Sequence, residues 1–377
     1  VVFRGVRSTA DFFQDGNRDD VQYYRSLYNV EQVEILRGPN ALLFGRGGTG
    51  GIINRVSKKA TLGETFGSVD FGLDSFGAND IAVDYNTGTS GDSAVRIMLH
   101  SDSLENHRDH YDGTRLGFNP TIKIKMNEST TLDLSYEHAD HERYIDRGIP
   151  TENGEPVERF EKITFGGDDN LTTLKANILR ATLSKVFSDT RKGNLSIVSS
   201  DFEKMYKNYY ASGYTAGATV VTMDGYLDPT ERENTIISGN IVNEVGNHTL
   251  LVGVELIDTT NENFRYNTFW STTSDDNEVF NITRPMDFSV NSAGVATSND
   301  YTADLKSKTK SDIDVTSFFI QDQIDVSDKL KLMIGGRHDS FDITVTDVKA
   351  GSAAARKDTK FSPRAGVIFK PQDNISW

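Results

Sequence analysis

A chain of 377 residues has room for two domains or for one large β architecture. Its formal charge of -15 argues against a nucleic-acid partner, which needs a basic face. It has no cysteine, which excludes disulfides and thiolate metal sites while permitting an oxidising compartment.

No apolar run approaches the ~18 residues of a membrane-spanning helix. Transmembrane barrels share that property with soluble proteins, because only alternate strand residues face lipid. The chain opens on Val1-Val2-Phe3-Arg4-Gly5-Val6, without an initiator methionine, a basic leader or an apolar leader. It closes on Asp373-Asn374-Ile375-Ser376-Trp377, where a new strand begins. Both ends read as cut.

Residues 1–60 form one unit. Short apolar pieces (Val33-Glu34-Ile35-Leu36, Ala41-Leu42-Leu43-Phe44, Ile52-Ile53) are separated by Arg37-Gly38-Pro39 and by the glycine cluster from Gly45 to Gly51. Proline and glycine break helices and central strands, so the pattern predicts a compact mixed α/β unit with tight turns.

From about residue 62 the period becomes two. Ile81, Val83 and Tyr85 alternate with polar neighbours, as do Val95, Ile97 and Leu99, then Ile122 and Ile124, Leu132 and Leu134, Val252 and Val254, and Val367 and Phe369. Roughly twelve strands are predicted, each near the ~10 residues that a tilted membrane strand requires. Ile97, Ile122, Ile124, Leu134, Val252 and Val367 are expected to face lipid. Arg96, Lys123, Lys125, Asp133, Glu137, Glu255 and Arg364 are expected to turn inward. Tyr85, Tyr136, Phe187, Tyr206, Phe341 and Phe369 lie near strand ends, as interface aromatics do.

Short turns near residues 90, 127, 189, 246, 328 and 373 alternate with longer polar stretches at 103–113, 141–175, 207–230, 261–311 and 347–358. Long loops at one end and short turns at the other suit an outer-membrane barrel. A soluble β-sandwich or a β-helix would also alternate, but with fewer strands and no such asymmetry of loops.

Other motifs carry little. Gly45-Arg46-Gly47-Gly48-Thr49-Gly50 matches G-x-G-x-x-G, yet Ile52-Ile53-Asn54-Arg55-Val56 after it reads as a strand, whereas a dinucleotide site needs a helix there. His107 and His110 sit in a loop. His138 and His141 are three apart on a strand end, a spacing that puts them on opposite faces and not around one metal. Acidic residues are too abundant for any pair to stand out as catalytic.

The run Ile35-Leu36-Arg37-Gly38-Pro39-Asn40-Ala41-Leu42-Leu43-Phe44-Gly45, continuing to Gly50-Gly51-Ile52-Ile53-Asn54-Arg55-Val56-Ser57-Lys58-Lys59, resembles the plug signature of TonB-dependent outer-membrane receptors. Phe3-Arg4-Gly5-Val6 and Asp15-Gly16 resemble earlier plug motifs of the siderophore branch. Phe319-Ile320-Gln321-Asp322-Gln323, Leu332-x-x-Gly335-Gly336-Arg337 and Phe361-Ser362-Pro363-Arg364-Ala365-Gly366 are similar to its barrel motifs.

The resemblance covers essentially the whole chain and implies a β fold. This is a transmembrane antiparallel β-barrel, 22-stranded in the family, closed by a mixed α/β plug. Residues 1–60 would be the C-terminal part of the plug, and 61–377 the N-terminal half of an incomplete barrel. The upstream plug half with its TonB box and about ten later strands are expected outside this chain.

The implied function is import of a ferric siderophore across the outer membrane of a Gram-negative bacterium, energised by the TonB-ExbB-ExbD complex. Outer-membrane lipid is the other expected partner. The resemblance implies no catalytic set, metal or cofactor. Haem, cobalamin or a glycan as cargo, and a passive porin or adhesin, remain as alternatives.

Tyr23 and Tyr24 fall where the family has outward-facing apical loops, and rings with polar tips suit an amphipathic chelate. Packing against the barrel wall is their other reading. Gly38, Pro39, Gly45, Gly50, Gly51 and Asn54 are the plug-turn positions. Arg4 and Arg37 resemble family arginines that pair with barrel glutamates. Those glutamates are expected beyond Trp377, which leaves neighbours such as Glu31 or Glu34 as substitutes.

Overall fold

The computed structural model describes residues 12–36, 44–45, 51–88 and 91–371, together with the backbone of 2–3 and 6–7. Strands β1 (Val2–Phe3) and β2 (Val6–Arg7) pair as a short hairpin. Strands β3 (Phe12–Gln14), β4 (Asn17–Arg18), β5 (Val30–Leu36) and β6 (Ile52–Ser57) form a sheet in the order β4-β3-β6-β5. Only β3 and β6 run parallel, so the chain crosses over between them.

The turn from β3 to β4 places Asp15 at φ 50° and Gly16 at φ 78°. Asn54 secures it by accepting the Gly16 amide at 3.0 Å, while Asp15 accepts the Ser57 amide at 2.9 Å. The turn is thereby stapled to the neighbouring strand.

The second sheet is a meander. Its strands are β7 (Thr65–Leu73), β8 (Asn79–Thr87), β9 (Ser93–Glu105), β10 (Asp112–Asn127) and β11 (Thr130–Tyr144). A small hairpin of β12 (Thr151–Glu152) and β13 (Glu155–Pro156) interrupts them, followed by a 3-10 turn at Glu158–Phe160. The meander resumes with β14 (Leu171–Ser188), β15 (Arg191–Gly213), β16 (Val220–Val245) and β17 (His248–Asn267). It ends with β19 (Asp304–Ser327), β20 (Leu330–Asp347) and β21 (Ser352–Phe369). β18 (Glu278–Asn281) lies between β17 and β19 in sequence and pairs with the far end of β16.

Each strand of the path pairs antiparallel with the next, and β7 and β21 stand as its two edges among the described residues. Twelve strands lie along the path, matching the expected count.

Residue parity sets the two faces. On β17, Val252 is 45% exposed while Glu255 is 7% exposed. The six residues expected to face lipid lie on one face, since Ile122 pairs with both Leu134 and Val95, Ile124 with Leu132, and Val252 with Ile320. The opposite face carries ion pairs between neighbouring strands, such as Arg96 with Asp84 at 2.6 Å and Lys123 with Asp133 at 2.8 Å. There Arg364 donates to Gln321 at 3.1 Å. Lys125 bonds Glu128 at the β10–β11 turn.

Two of the six aromatics expected at the membrane interface turn inward. Tyr206 shares parity with the buried Phe202, and Phe341 packs against the inner apolar cluster. Proximity to a strand end placed them wrongly; parity places them correctly. Nor is the inner wall wholly polar. Leu174, Ile178, Val198, Phe202, Ile236 and Ile257 make an apolar patch that receives Val21 and Tyr23 of the plug.

The strands are longer than membrane crossing needs. β16 has 26 residues, roughly 85 Å of chain at ~3.3 Å per residue, against an apolar band ~25 Å tall. The surplus projects on the side of the longer connections. There the expected loops shrink to 106–111, 145–170, 214–219, 268–303 and 348–351, the last a turn of four residues. The two longest share an apolar core: Phe160, Phe165, Trp270 and Phe280 are buried together with Tyr209, Val221 and Met223 of the strand extensions.

Candidate functional site

The segment 19–29 links β4 to β5 and is pinned to the wall at three points. Val21 enters the apolar patch on the wall. Tyr28 stacks on His100 at 5.3 Å, and its ring fills space that a β-carbon at Gly117 would need, 2.5 Å away. Asn29 donates to Asn119 at 3.2 Å. Gly117 is thus the barrel's allowance for a plug ring.

Between the pins, Tyr23, Tyr24 and Arg25 line the floor of a cavity of about 1050 Å³. Its walls come from the upper halves of β11, β14, β15, β16 and β17, including Arg143, Lys204, Tyr206, Tyr226 and Arg265, with Arg147 just beyond β11. Both tyrosines expected at a ligand therefore reach one cavity. Packing holds for them too: Tyr23 lies 5.7 Å from Phe202, and Arg143 covers the Tyr24 ring at 3.7 Å.

The cavity is cationic in a chain of net charge -15. Arg115 is neutralised by Asp102, and Arg265 by Asp228 at 2.7 Å. Arg143, Arg147 and Lys204 have no carboxylate partner among the described residues. Arg147 donates to Tyr226 at 2.9 Å and lies over the Tyr210 ring at 4.5 Å, while Tyr206 and Tyr226 stack at 5.8 Å. Guanidinium groups spread over tyrosine faces offer an anion charge, planar donors and stacking surface together.

Beneath the floor lies a buried ionic network. Asp19 Oδ2 accepts from Arg25 at 2.8 Å, Arg55 at 2.7 Å and the Tyr23 hydroxyl at 3.1 Å. Burial pushes the Asp19 carboxyl up, but the charges of Arg25 and Arg55 outweigh it and hold the group at about 2. Tyr23 is pushed up to about 12, by burial first and then by Asp19.

Arg55 also donates to Gln14 Oε1 at 2.9 Å, and Arg180 of β14 donates to the same oxygen at 2.7 Å. The Gln14 amide nitrogen donates to Glu137 of β11 at 3.3 Å, and Arg180 closes the ring with Glu137 at 3.0 Å.

Further ties hold the plug to the wall. Asp20 pairs with Arg232 at 2.5 Å, Lys58 with Asp84 at 3.0 Å, and Lys204 donates to the Gln22 carbonyl at 3.2 Å. Gly45, at φ 76°, rests on Arg337. Arg337 is itself held by Glu255 at 2.8 Å and Asp339 at 2.7 Å.

Arg4, Arg37, Gly38, Pro39 and Gly50 lie outside the described residues. Gly51 has φ 128°, and Asn54 bridges the Gly16 turn to Glu34, donating to the latter at 2.8 Å. His138 and His141 diverge as their spacing required: His138 contacts Asn177 on the outer face, and His141 lines the cavity.

The pocket cations were not singled out in the sequence. Their signal was present as arginines at the strand exits beside tyrosines, on inward parity. Arg55 gave no such signal, because its partners Asp19 and Gln14 lie 36 and 41 residues away. Asp19 and Arg25 are only six apart, but in an irregular segment where no periodicity marks a pair.

An apolar-faced antiparallel sheet enclosing a separate small sheet is a plugged membrane barrel. The family model described as the TonB dependent receptor-like β-barrel matches residues 117–377, and the TonB-dependent receptor plug domain model matches 1–52. The chain belongs to the TonB-dependent receptors, outer-membrane proteins of Gram-negative bacteria.

Among curated relatives, the probable TonB-dependent siderophore receptor PiuA of Acinetobacter baumannii is 25% identical over 99% of this chain and 53% of its own length. The metal-pseudopaline receptor CntO of Pseudomonas aeruginosa is 25% identical over 92% of this chain and 49% of its own. The chain thus spans about half the length of the curated relatives it matches. The fold agrees with the ferric-catecholate import receptor Fiu from E. coli K12 in its open form. That match has a TM-score of 0.84 at 17% identity and covers 99% of this chain and 62% of that one. It agrees likewise with the crystal structure of PiuA, with a TM-score of 0.81 at 21% identity over 99% of this chain and 56% of that one.

Proposed function

We propose that this chain is the ligand-gathering part of an outer-membrane receptor that binds a ferric siderophore and imports it with energy from the TonB-ExbB-ExbD complex. The carrying observation is the cavity on the plug, with Tyr23 and Tyr24 on its floor and Arg143, Arg147 and Lys204 unneutralised around it. Such a site suits a ferric chelate that is anionic and bears aromatic rings. The names of PiuA, CntO and Fiu support a metal chelate as cargo. On this reading residues 1–60 act as the plug segment and 61–377 as wall and capture loops. The outer face of the strands meets lipid.

The test is binding and growth. Intact receptor is titrated with an anionic ferric tris-catecholate and with a neutral ferric tris-hydroxamate, and quenching of its intrinsic fluorescence is followed. A strain lacking the receptor is complemented and fed the same two complexes under iron limitation. The catecholate complex is expected to bind more tightly, to support growth, and to lose tenfold or more in affinity when Arg143 and Arg147 are both changed to alanine. Binding and growth indifferent to both complexes and to both arginines would sink this reading.

A further inference from the structure

The cavity is divided by charge. Its cations without a carboxylate partner among the described residues, Arg143, Arg147 and Lys204, stand on β11, just beyond β11 and on β15. The adjoining wall, from Thr230 of β16 across β17 to Ser307 of β19, adds Asn263 and Phe264. The charged groups on that side, Asp228 and Arg265, cancel in one ion pair of 2.7 Å. We infer that this second wall is a separate subsite, which takes a neutral linker rich in amides or hydroxyls that joins the metal-binding groups of the chelate. The cationic wall takes the anionic metal centre itself. The inference rests on the function proposed above and names the part of the cargo that decides between chelates of equal charge.

Strand register builds the subsite. Thr230, Asn263 and Thr309 stand directly opposite one another across β16, β17 and β19. Asn263 donates to Thr230 at 2.9 Å and its carbonyl accepts from Asn261. A side-chain amide has two hydrogens, so one of them is left without a partner among the described residues. The Ser307 hydroxyl has no printed tie to a neighbour either, and both side chains are exposed where they line the cavity. Asn263 is therefore a donor held in place by two bonds with a third still to make. Deeper on the same wall the polar groups are already satisfied. Arg232 is committed to Asp20, and Thr259 donates to Asn234 at 2.9 Å. Unused hydrogen-bonding capacity is thus concentrated at the height of the cavity.

The chemistry of the linker follows by comparing what each kind would meet there. A hydrocarbon linker would cover the Asn263 and Ser307 donors and leave them without acceptors, which is unfavourable. A cationic linker would meet the surplus positive charge of Arg143, Arg147 and Lys204. An anionic linker gains little from Arg265, whose charge Asp228 already answers. A neutral chain with carbonyl or hydroxyl oxygens accepts from both donors and brings no charge to be desolvated.

The experiment uses intact receptor and two synthetic ferric tris-catecholates of equal charge. In one the three rings are joined through a short peptide backbone, in the other through a hydrocarbon backbone of the same length. Affinities are measured for wild type, for Asn263→Leu, which keeps the volume and removes the amide, and for Arg143→Ala. Asn263→Ala serves as a second variant should leucine impair assembly. Wild type is expected to bind the peptide-linked complex more tightly. The Asn263 variants are expected to weaken that complex about fivefold, the size of one lost hydrogen bond, and to narrow or abolish the preference. Arg143→Ala is expected to weaken both complexes alike, because both carry the same metal centre. Equal binding of the two complexes by wild type overturns the subsite while leaving the functional reading intact. So does an Asn263 variant that weakens both alike or neither. A wild-type receptor that takes neither complex overturns the functional reading, and the subsite with it.

Discussion

Gly45 of the plug lies so close to Arg337 of the barrel wall that a β-carbon on it would stand 2.8 Å from a guanidinium nitrogen. Arg337 has little freedom to move aside, being 2% exposed and held by both Glu255 and Asp339. The family signature thus carries a glycine here for two reasons: its φ of 76°, which side chains resist, and the wall behind it. Gly45→Ala is expected to weaken plug seating by about 1–3 kcal/mol, from strain and displaced packing. Passive uptake of large antibiotics by cells carrying the variant measures the loss. Uptake equal to wild type would show that the contact does not help to seal the barrel.

The Asp19 carboxyl gives a pH dependence. Its value of about 2 in the fold lies below the ordinary 3.8, so the native state favours the ionised form. The stabilisation, about 2 kcal/mol for a group this buried, is complete above roughly pH 4. It is lost as pH falls through about 2. Protease resistance of the plug, measured from pH 7 downward, is expected to hold to about 4 and then to fall. In Asp19→Asn that final drop should shrink. A decline centred near pH 6 would point to other groups.

The alternation of faces predicts where charge is tolerated. Val252→Arg and Ile122→Arg each place a cation on the apolar outer face, which costs ~2–4 kcal/mol near the bilayer midplane. A lysine replacing Ser238, which shares the inner face with Glu255 opposite it, disturbs one hydrogen bond to Asn17 and no lipid contact. Folded fraction in vesicles, read from the heat-dependent gel shift of barrels, is expected to drop for the first two only. Cysteines at 122 and 252 should label slowly with a membrane-impermeant reagent.

How much of this was legible follows from the range of each interaction. Strand parity is local, so the outer and inner positions of β9, β10, β17 and β21 could be read two residues at a time. The Gly45 turn was legible because glycine announces positive φ. The plug–wall contacts were not, because Gln14 meets Glu137 and Arg180 at separations of 123 and 166 residues. No local pattern encodes such a meeting. Loop lengths were overestimated for a related reason. Beyond the membrane, strand extensions lose their apolar alternation, since neither face meets lipid, so 207–213 and 304–311 read as loop.

Those extensions carry the last prediction. Trp270 is buried where the loop 268–303 folds back, 5.5 Å from the Tyr209 ring and 4.9 Å from Phe280. Phe280 lies on β18, which extends the sheet beside β16. Phe160 and Phe165 of the other long loop complete the same core. Two loops with one core should open together, as local unfolding follows shared apolar packing. Trp270→Ala removes the largest buried side chain there and is expected to cost ~3–5 kcal/mol of loop stability. The barrel, whose strands pair independently of this core, should still assemble. The cavity lies just below, between strands whose upper ends the core ties together, so its walls should loosen. The expected signature is selective. Protease cleaves within 268–303 and within 145–170 at matched rates, the ferric chelate dissociates severalfold faster, and the yield of folded barrel is unchanged. If cleavage rises in 268–303 while 145–170 stays protected, the two loops do not form one unit. Unchanged chelate dissociation would remove the cap from ligand retention.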